Sequence, residues 1–301
     1  MKLLLFGKNG QVGWELQRSL SVLGEVVALD RHSADHRGDL TKLDALATTV
    51  RDLRPDVIVN AAAYTAVYKA ESDGALATTV NALAPGVLAK EAQRIGAWMV
   101  HYSTDYVFDG SGTRPWVETD STGPLSVYGQ SKLEGELLIA SQCERHLILR
   151  TSWVYAARGG NFIRTMLRLA QEREKLTVID DQHGAPTSAE LIADVTAQAL
   201  HRLVHDASRT DLAGVYHLAA AGETTWHGYA GHVLEQAKSI QPSIPIKTTE
   251  VAAVASEAFA TAARRPGNSR LNTAKLHAAF QLRLPPWQQG VDRVLAEILP
   301  A

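Results

Sequence analysis

The chain has 301 residues, of which 46% are hydrophobic and 21% are charged, and its formal net charge is −2. This length fits one large domain or two unequal ones, and the hydrophobic fraction is sufficient for a substantial core. The charge balance argues against a protein that binds nucleic acid or membrane surfaces, which would carry a basic stripe.

The single cysteine, Cys143, rules out an internal disulfide and is typical of a reducing cytoplasm, where we expect the protein to reside. We expect no signal peptide, because the apolar run near the start is too short for one. No apolar run approaches the roughly 20 residues of a membrane span. We therefore expect no contact with a membrane.

A glycine-rich turn follows the first predicted strand, Leu3–Phe6. The turn, Gly7-Lys-Asn-Gly10-Gln-Val-Gly13, leads into a helical pattern through Leu20. In a dinucleotide-binding turn the first glycine allows the sharp bend, the second admits a pyrophosphate, and the third packs helix against sheet. The helix N-terminus then presents free N–H groups to the phosphates. Three glycines could also form an ordinary tight loop, but the order strand, turn, helix favours nucleotide binding.

The second predicted strand, Glu25–Leu29, leads into Asp30 and Arg31. A carboxylate about 20 residues after the glycines is placed to hold a ribose hydroxyl pair, whereas a cation there can accept a 2′-phosphate. Asp30 favours NADH and Arg31 favours NADPH, so the sequence predicts use of both. A solvated loop position explains Arg31 equally well.

Further along, Asp39 and Leu40 precede a helix predicted from about residue 42 to residue 53. Asp39 can meet an adenine amino group, and a helix N-terminal carboxylate is the alternative. The third predicted strand runs from Pro55 to Asn60. It is followed by Ala61-Ala-Ala63, which is small enough for a cofactor to lie against the backbone.

A helix is predicted from about Gly74 to Ile95, with an interruption near Pro85. Its Asn81 is interpreted as an exposed residue, with a hydrogen bond to the backbone as the alternative. The fourth predicted strand, residues 97–102, leads into Ser103-Thr104-Asp105. Hydroxyls at this end of a parallel strand lie where such sheets bind ligands, although a turn can also use them for its own backbone.

Tyr128 and Lys132 are four residues apart and fall on one side of a predicted helix. A tyrosine hydroxyl has a pKa of about 10, and a lysine ammonium beside it favours the phenolate and lowers that pKa. Such a pair can donate a proton close to neutrality, which suits reduction of a ketone. Alone the motif is weak, because similar pairs arise by chance on many solvated helices.

The regular alternation of strands and helices up to Arg150 predicts an α/β fold, a Rossmann-type doubly wound parallel sheet. We assign residues 1–150 to a dinucleotide-binding domain. We assign residues 151–301 mainly to a smaller substrate-binding region, with some segments returning to the Rossmann core. The elements predicted there are helices at 163–171 and up to about 205, strands at 176–179 and 214–218, a loop at 181–187, and two short helices after about 244.

The chain resembles the extended short-chain dehydrogenase/reductases, and within them the dTDP-4-dehydrorhamnose reductase family. The resemblance spans nearly the whole chain. The matching stretches are Gly7–Leu16, Asn60–Thr65, Ser103–Phe108, Val127–Lys132, Arg150–Tyr155, Asp181–Thr187 and Arg265–Ser269.

This resemblance implies the last step of dTDP-L-rhamnose synthesis, in which NADPH or NADH reduces the C4 ketone of dTDP-4-dehydro-L-rhamnose. The product is a precursor of O-antigen and other cell-surface polysaccharides. By the same resemblance Tyr128 donates the proton, Lys132 holds the nicotinamide ribose, and Thr104 binds the reacting oxygen. Asp105 and Trp153 would contact the sugar, although ordinary core packing also explains a tryptophan. The other implied cofactor contacts are Gly7, Gly10, Gln11, Val12, Asp30, Arg31, Asp39, Leu40, Ala63, Tyr64, Thr65 and Tyr102.

One position departs from the family, which usually has an aspartate where this chain has Tyr68. A local salt bridge at that site is therefore in doubt. Some family members dimerise around a magnesium ion held by glutamates, and Glu15 and Glu190 are the candidate ligands here. Two glutamates are too common to establish a metal site, and solvated surface residues are the alternative. The resemblance implies a homodimer.

Two other functions compete with the reductase. A nucleotide-sugar epimerase or dehydratase of the same superfamily would keep NAD bound and recycle the hydride. Dehydratases tend to have an acidic pair after the catalytic threonine, whereas Thr104 is followed by Asp105-Tyr106. A non-catalytic regulatory subunit on the same fold would be expected to lack Tyr128 or Lys132.

Overall fold

Six parallel strands form the central sheet of the computed structural model, which describes residues 1–205, 209–259 and 263–299. The strands are β1 (Lys2–Phe6), β2 (Glu25–Leu29), β3 (Val57–Asn60), β4 (Trp98–Thr104), β5 (His146–Thr151), β6 (Val154–Tyr155), β7 (Lys175–Ile179), β8 (His183–Gly184), β9 (Thr187–Ser188), β10 (Gly214–His217), β11 (Thr224–Thr225) and β12 (Glu250–Val254). The helices are α1 (Gln11–Leu20), α2 (Leu43–Leu53), α3 (Val67–Ala70), α4 (Gly74–Thr78), α5 (Ala84–Ile95), α6 (Val127–Gln142), α7 (Phe162–Glu172), α8 (Ala189–His205), α9 (Trp226–Ile240), α10 (Ala274–Phe280) and α11 (Trp287–Ile298).

The order of the central sheet is β2-β1-β3-β4-β5-β10, and each neighbouring pair is parallel. The order reverses between β1 and β3. In open α/β sheets the crevice beyond the carboxyl ends of the strands at such a reversal is where ligands bind. The predicted fold class, a doubly wound parallel sheet of the Rossmann type, is therefore confirmed.

Helices cover both faces of this sheet, which explains the continuous apolar strands in the sequence. Alternate residues of β1 point to opposite faces: Leu3 and Leu5 pack with α1 and α8, while Leu4 and Phe6 pack with α2, α5 and α6. Each face is thereby sealed by its own apolar cluster, and the polar site is confined to the ends of the strands.

A third apolar cluster lies outside the sheet and is built from the second half of the chain. It joins α7, α9 and α11 with β7, and Tyr155, Leu167, Val233 and Val291 are among its buried residues. Two elements of the same half join the central sheet instead, because β10 pairs with β5 and α8 packs on α1.

The predicted helix from Gly74 to Ile95 is continuous and not interrupted at Pro85. α4 passes through a π-helical turn, Thr79–Leu83, directly into α5, where Pro85 lies in the first turn. Within a continuous helix a proline lacks the N–H that would bond back to the preceding turn, and here that preceding turn is the irregular π turn. The irregularity therefore precedes the proline, and the Ala84 N–H bonds the Thr79 carbonyl across the π turn.

The longer elements of the second half that were not predicted are α9, and β12, which pairs in parallel with β7. The segment predicted as a loop at 181–187 contains the two-residue strands β8 and β9. None of the helices in the described ranges is long and apolar enough to span a membrane.

Candidate active site

The glycine-rich turn lies where the Rossmann topology places a pyrophosphate. Gly7 has a φ of +88°, and a Cβ there would lie 2.7 Å from the Ala62 nitrogen. A Cβ on Gly13 would lie 2.0 Å from the Gly7 carbonyl oxygen, so α1 packs against the turn only because both residues are glycines. Within the described segment 1–205, no side chain caps α1 after Gly10 and no acidic residue lies in its first turn. Its first N–H groups are therefore available to an anion.

Asp30 lies at the end of β2 beside this turn, and its carboxylate already holds the local loop together. It accepts hydrogen bonds from the His32 N–H at 2.8 Å, the Ser33 hydroxyl at 3.2 Å and the Asn9 amide. Burial acts to raise the pKa of Asp30, but the hydrogen bonds from His32 and Ser33 outweigh it, and the pKa is lowered. The carboxylate is thus ionised and positioned, as a ribose partner should be.

Cations also lie close to Asp30. Arg31 is exposed and donates to the His32 ring at 3.0 Å, and Lys8 reaches Ser33 at 3.4 Å. Lys8 and Ser33 were not predicted as site residues. The position of Lys8 inside the glycine turn was the feature of the sequence that could have indicated a cation at this corner. This corner thus combines an ionised carboxylate with two nearby cations.

Of the residues expected around the adenine and its ribose, Asp39 and Leu40 are engaged in the protein itself. The Asp39 carboxylate accepts hydrogen bonds from the N–H and the hydroxyl of Thr41, at 2.9 and 2.8 Å. Leu40 is buried in the core beneath it. The carboxylate of Asp39 stabilises the turn before α2. This role is close to the helix N-terminal carboxylate that the sequence offered as the alternative.

The segment Ala63–Thr65 is held in place by Asn81 from the π turn. Asn81 is fully buried, accepts from the Tyr64 N–H at 2.8 Å and donates to the Tyr64 carbonyl at 3.0 Å. The interpretation of Asn81 as an exposed residue is wrong, and the backbone-bonding alternative is correct. The Tyr64 hydroxyl donates to Asp73 at 3.0 Å, while Thr65 remains exposed.

Thr104, Asp105 and Tyr128 meet at the carboxyl end of β4. The Thr104 hydroxyl donates to Asp105 Oδ1 at 3.1 Å and receives the Tyr106 N–H at 3.2 Å. Burial raises the pKa of Tyr128 to about 12, against a smaller lowering by a hydrogen bond with Thr104. Burial likewise raises the pKa of Asp105 to about 6, and its Oδ2 has no partner among the described residues.

The start of α6 fixes Tyr128 beside that turn. Ser126 is the N-cap and accepts from the Gly129 N–H at 3.2 Å, and Glu71 accepts from the Val127 N–H at 2.9 Å. A Cβ on Gly129 would lie 2.3 Å from the Tyr106 carbonyl oxygen. Glycine at this position therefore sets how close Tyr128 comes to Thr104.

Lys132 is 2% exposed and lies one turn further along α6. Its Nζ donates to the Tyr102 carbonyl at 2.6 Å and lies 3.0 Å from Nε2 of His101. Burial lowers the pKa of Lys132 to about 8, against an opposing attraction by Glu136. The expected lowering of the Tyr128 pKa by Lys132 is not seen, because burial of the phenol dominates its ionisation.

Tyr102 contributes its backbone and not its side chain to this site. Its ring packs in the apolar cluster on the α1 and α8 face of the sheet, with the hydroxyl 2.9 Å from Thr196 Oγ1. Its carbonyl, on the side of α6, holds Lys132. Alternation along β4 therefore separates the ring from the expected cofactor contact.

Trp153, expected at the sugar, has an unusual backbone conformation with a φ of +50°. Its ring stacks on Trp226 with centroids 3.8 Å apart, and Gly184 leaves room for it, since a Cβ there would lie 2.8 Å from the indole. A bulky residue with positive φ is strained, and such strain clusters at functional sites. The stack joins the residue before β6 to the first residue of α9, beside the third apolar cluster.

Tyr68, the departure from the family pattern, lies under the Arg265 guanidinium, whose centre is 5.0 Å from the ring centroid. A cation over a phenol face is attracted by the ring quadrupole, so the Tyr68 ring gives Arg265 a favourable contact without a carboxylate. Tyr106, whose ring packs edge-on against Tyr128 at 5.5 Å, lies within electrostatic range of the same arginine.

Glu15 and Glu190 lie near each other at the contact between α1 and α8, and each faces an arginine. Arg18 is 3.5 Å from Glu15, and Arg293 is 2.9 Å from Glu190. Burial and the neighbouring Glu190 raise the pKa of Glu15. In the described ranges no three His, Cys, Asp or Glu side chains gather closely enough to hold a metal ion. Within the chain each of the two carboxylates has an arginine beside it, and the magnesium site at a dimer interface stays a prediction.

The comparisons with known proteins agree with this geometry. The profile of the RmlD substrate binding domain family matches residues 1–299. The dTDP-4-dehydrorhamnose reductase of Escherichia coli (strain K12) is 55% identical over 298 residues, covering 99% of this chain and 98% of the relative.

Two solved structures show the same similarity. A dTDP-4-dehydrorhamnose reductase from Clostridium acetobutylicum superposes with a TM-score of 0.87 at 32% identity, covering 99% of both chains. The Bacillus anthracis enzyme of that name, solved in complex with NADP, gives 0.86 at 32% identity and covers 98% of this chain and 99% of its own. On these matches over almost the full chain, the protein belongs to the RmlD substrate binding domain family.

Proposed function

We propose that the protein reduces the C4 ketone of dTDP-4-dehydro-β-L-rhamnose to dTDP-β-L-rhamnose with NADPH or NADH, the last step of dTDP-L-rhamnose biosynthesis. The observation that carries this proposal is the convergence of Thr104, Tyr128 and Lys132 at the end of β4, beside the uncapped start of α1. The identity of the substrate is inferred from the names of the relatives described above.

The dinucleotide fits the chain because the glycine turn leaves no Cβ over the start of α1, where N–H groups are free. We assign its pyrophosphate to Gly10, Gln11 and Val12 and its adenosine ribose to Asp30 and Arg31. Lys8 and Ser33 join Arg31 toward a 2′-phosphate. When bound, the reduced nicotinamide supplies a hydride.

The chain's own residues then handle the ketone oxygen. Tyr128 and Thr104 both face the position of that oxygen, and Tyr128 donates the proton as negative charge develops on it. Lys132, whose Nζ is positioned by the Tyr102 carbonyl, would hold the nicotinamide ribose. The burial that raises the Tyr128 pKa to about 12 keeps the phenol protonated until the alkoxide forms.

We assign residues 151–301 mainly to substrate binding and residues 1–150 to the dinucleotide. The strained Trp153 and its Trp226 partner form an apolar wall for the deoxysugar, opposite Asp105. What supports the division is the separate apolar cluster of α7, α9 and α11, while β10 and α8 return to the sheet.

Two further assignments follow from the family. We propose a homodimer, and we propose a cytoplasmic location, which the single buried cysteine favours. Light scattering on the purified protein, with and without a chelator, tests the first: twice the chain mass in both conditions supports a dimer without metal.

The test of the reductase is absorbance of the reduced nicotinamide while dTDP-4-dehydro-L-rhamnose is generated in the cuvette. We expect stoichiometric loss of absorbance with both NADH and NADPH. The ratio of the two rates reports whether Asp30, which favours NADH, or Lys8 and Arg31, which favour NADPH, decide the cofactor preference. A sugar that changes without loss of absorbance would instead show a hydride-recycling epimerase or dehydratase. If neither the absorbance nor the sugar changed, the remaining interpretation would be a non-catalytic regulatory subunit.

A further inference from the structure

His101 is a fully buried histidine in the middle of β4, between Asn60 and Lys132. Its Nδ1 lies 3.2 Å from Asn60 Nδ2, and its Nε2 lies 3.0 Å from Lys132 Nζ. Asn60 is its cross-strand neighbour on β3, and Lys132 reaches it from α6. The ring therefore connects the segment that leads to Ala61–Ala63 with the lysine of the candidate site.

The orientation of the Asn60 amide determines which ring nitrogen of His101 carries the proton. Asn60 Oδ1 accepts the Ala62 N–H at 3.2 Å, so Nδ2 is the atom that faces His101. An amide nitrogen only donates, and His101 Nδ1 must therefore be an unprotonated acceptor. A neutral imidazole then has its single proton on Nε2, facing Lys132.

An Nε2–H group can only donate, so Lys132 satisfies it only as a neutral amine with a free lone pair. A charged Lys132 would require the proton on Nδ1, where it would meet the Asn60 amide hydrogens. If the Asn60 amide were rotated by 180°, its NH2 group would instead face the Ala62 N–H, and two donors would again meet. Each arrangement with a charged lysine therefore leaves two buried donors facing each other, which is costly.

The surrounding charges agree with this assignment. Burial and the nearby Lys132 keep the pKa of His101 well below its usual value, so the ring is neutral. Burial lowers the pKa of Lys132 as described above. Glu136 on α6 attracts the charged lysine, but it is bound to Arg150 of β5 at 2.6 Å. The other titratable groups at this end of β4 and α6 include Asp105, Tyr106 and Tyr128.

We propose that Asn60 and His101 are positioning residues: they fix the hydrogen bond between His101 and Lys132 as one that the lysine accepts, and thereby favour its neutral form. The importance of this for turnover rests on the proposed reductase role of Lys132. The pair sets the pH at which the lysine becomes a cation beside the cofactor.

The first test is the tautomer of His101 in the unaltered protein, read from 15N chemical shifts after labelling of histidine. The His101→Phe variant identifies the signal by its loss. We expect the Nε2–H tautomer with an unprotonated ring above about pH 8, where Lys132 is mainly neutral. An Nδ1–H tautomer would overturn the proposal, and this result needs no variant to retain activity.

The second test is titration of Lys132 by 13C shifts of labelled lysine, assigned with Lys132→Met. The phenyl ring of His101→Phe removes a donor to the neutral amine, and the carboxylate of Asn60→Asp holds His101 in the Nδ1–H form. Both variants should raise the pKa of Lys132, by about 1 unit or more. His146→Phe, at the far end of β5, should leave it unchanged. A fall in His101→Phe would show that His101 accepts from a charged lysine, contrary to the proposal.

Turnover separates this inference from the proposed function. If the protein is the reductase, the alkaline limb of kcat should move upward in His101→Phe and Asn60→Asp with the Lys132 titration. If the Lys132 pKa rose as expected but no nicotinamide was oxidised, the proposed role of Asn60 and His101 would be supported and the reductase would be contradicted. If the protein reduced the substrate normally but the Lys132 pKa was unchanged or lowered in the two variants, only the proposed role of Asn60 and His101 would be contradicted.

Discussion

Asp105 is a buried carboxyl that the fold keeps beside Thr104, with one oxygen lacking a partner among the described residues. Because burial raises its pKa to about 6, the folded protein binds this proton more tightly than the unfolded chain does. The favourable contribution is therefore fully present below the unfolded pKa and is lost as pH rises through about 6.

Replacing Asp105 by asparagine should remove this dependence while keeping the hydrogen bond from Thr104. We expect the stability of Asp105→Asn relative to the unaltered protein to increase by about 1 kcal/mol between pH 5 and pH 8. Denaturant unfolding at the two pH values measures it. A difference that does not change with pH would show that the carboxyl ionises normally.

Tyr68 provides the aromatic face under Arg265 at the position where the family usually has a carboxylate. We expect Tyr68→Ala to lose about 1 kcal/mol of stability, the value of a partly exposed cation–π contact. Tyr68→Asp should stay within about 0.5 kcal/mol of the unaltered protein, because an ion pair replaces the contact. Urea unfolding of both variants is the measurement, and equal losses would mean that Arg265 does not recognise either partner.

Several site side chains could be predicted from the sequence because their motifs are local. Gly7, Gly13, Thr104, Tyr128 and Lys132 lie where their spacing placed them. Asn60, His101 and Asn81 could not be assigned, since their partners are distant in sequence. The signal for His101 was a polar residue inside an otherwise apolar strand, which a buried sheet admits only when it is hydrogen-bonded.

The α6 helix connects chemistry to packing, because its first turn bears Tyr128 and touches the Asp105–Val107 turn through Gly129. We expect Gly129→Ala to lower kcat at least roughly tenfold and to cost about 1–3 kcal/mol of stability, since the new methyl group meets the Tyr106 carbonyl. NADPH affinity should change little.

Gly231 in α9 is the matched control for that variant, because no atom lies within 4 Å of the place where its Cβ would be. Gly231→Ala should retain full activity and gain up to about 1 kcal/mol from helix propensity. If Gly129→Ala were equally active, the close approach of α6 to the turn would not determine the position of Tyr128.

The elements of the central sheet were predicted to within one or two residues, since β1 to β5 are apolar runs punctuated by glycine, proline or polar residues. The continuity of α4 and α5 was missed because a sequence pattern does not show where a proline falls within a helical turn. α9 was missed because its small and polar residues, such as Gly228 and Gly231, weaken the helical pattern.

For the whole molecule, the sequence predicts a division into two functional halves, and the structure adds pairings between segments that lie far apart in the chain. β12 pairs with β7 across a separation of about 75 residues, which no local pattern reveals. The loop before α6 is also tied to a distant segment, because the Trp116 N–H bonds the Arg270 carbonyl at 2.9 Å. These long-range pairings shape the second half of the chain and its contact with the loop before α6.

The central claim is that Tyr128 donates the proton to a ketone reduced by a nicotinamide hydride. The most direct test compares Tyr128→Phe with the unaltered protein for NADPH affinity, by fluorescence titration, and for kcat with dTDP-4-dehydro-L-rhamnose. We predict an NADPH Kd within about twofold and a kcat lower by at least about 100-fold, the usual worth of a general acid. A Tyr128→Phe variant with near-normal kcat would contradict the assignment of Tyr128 as the proton donor.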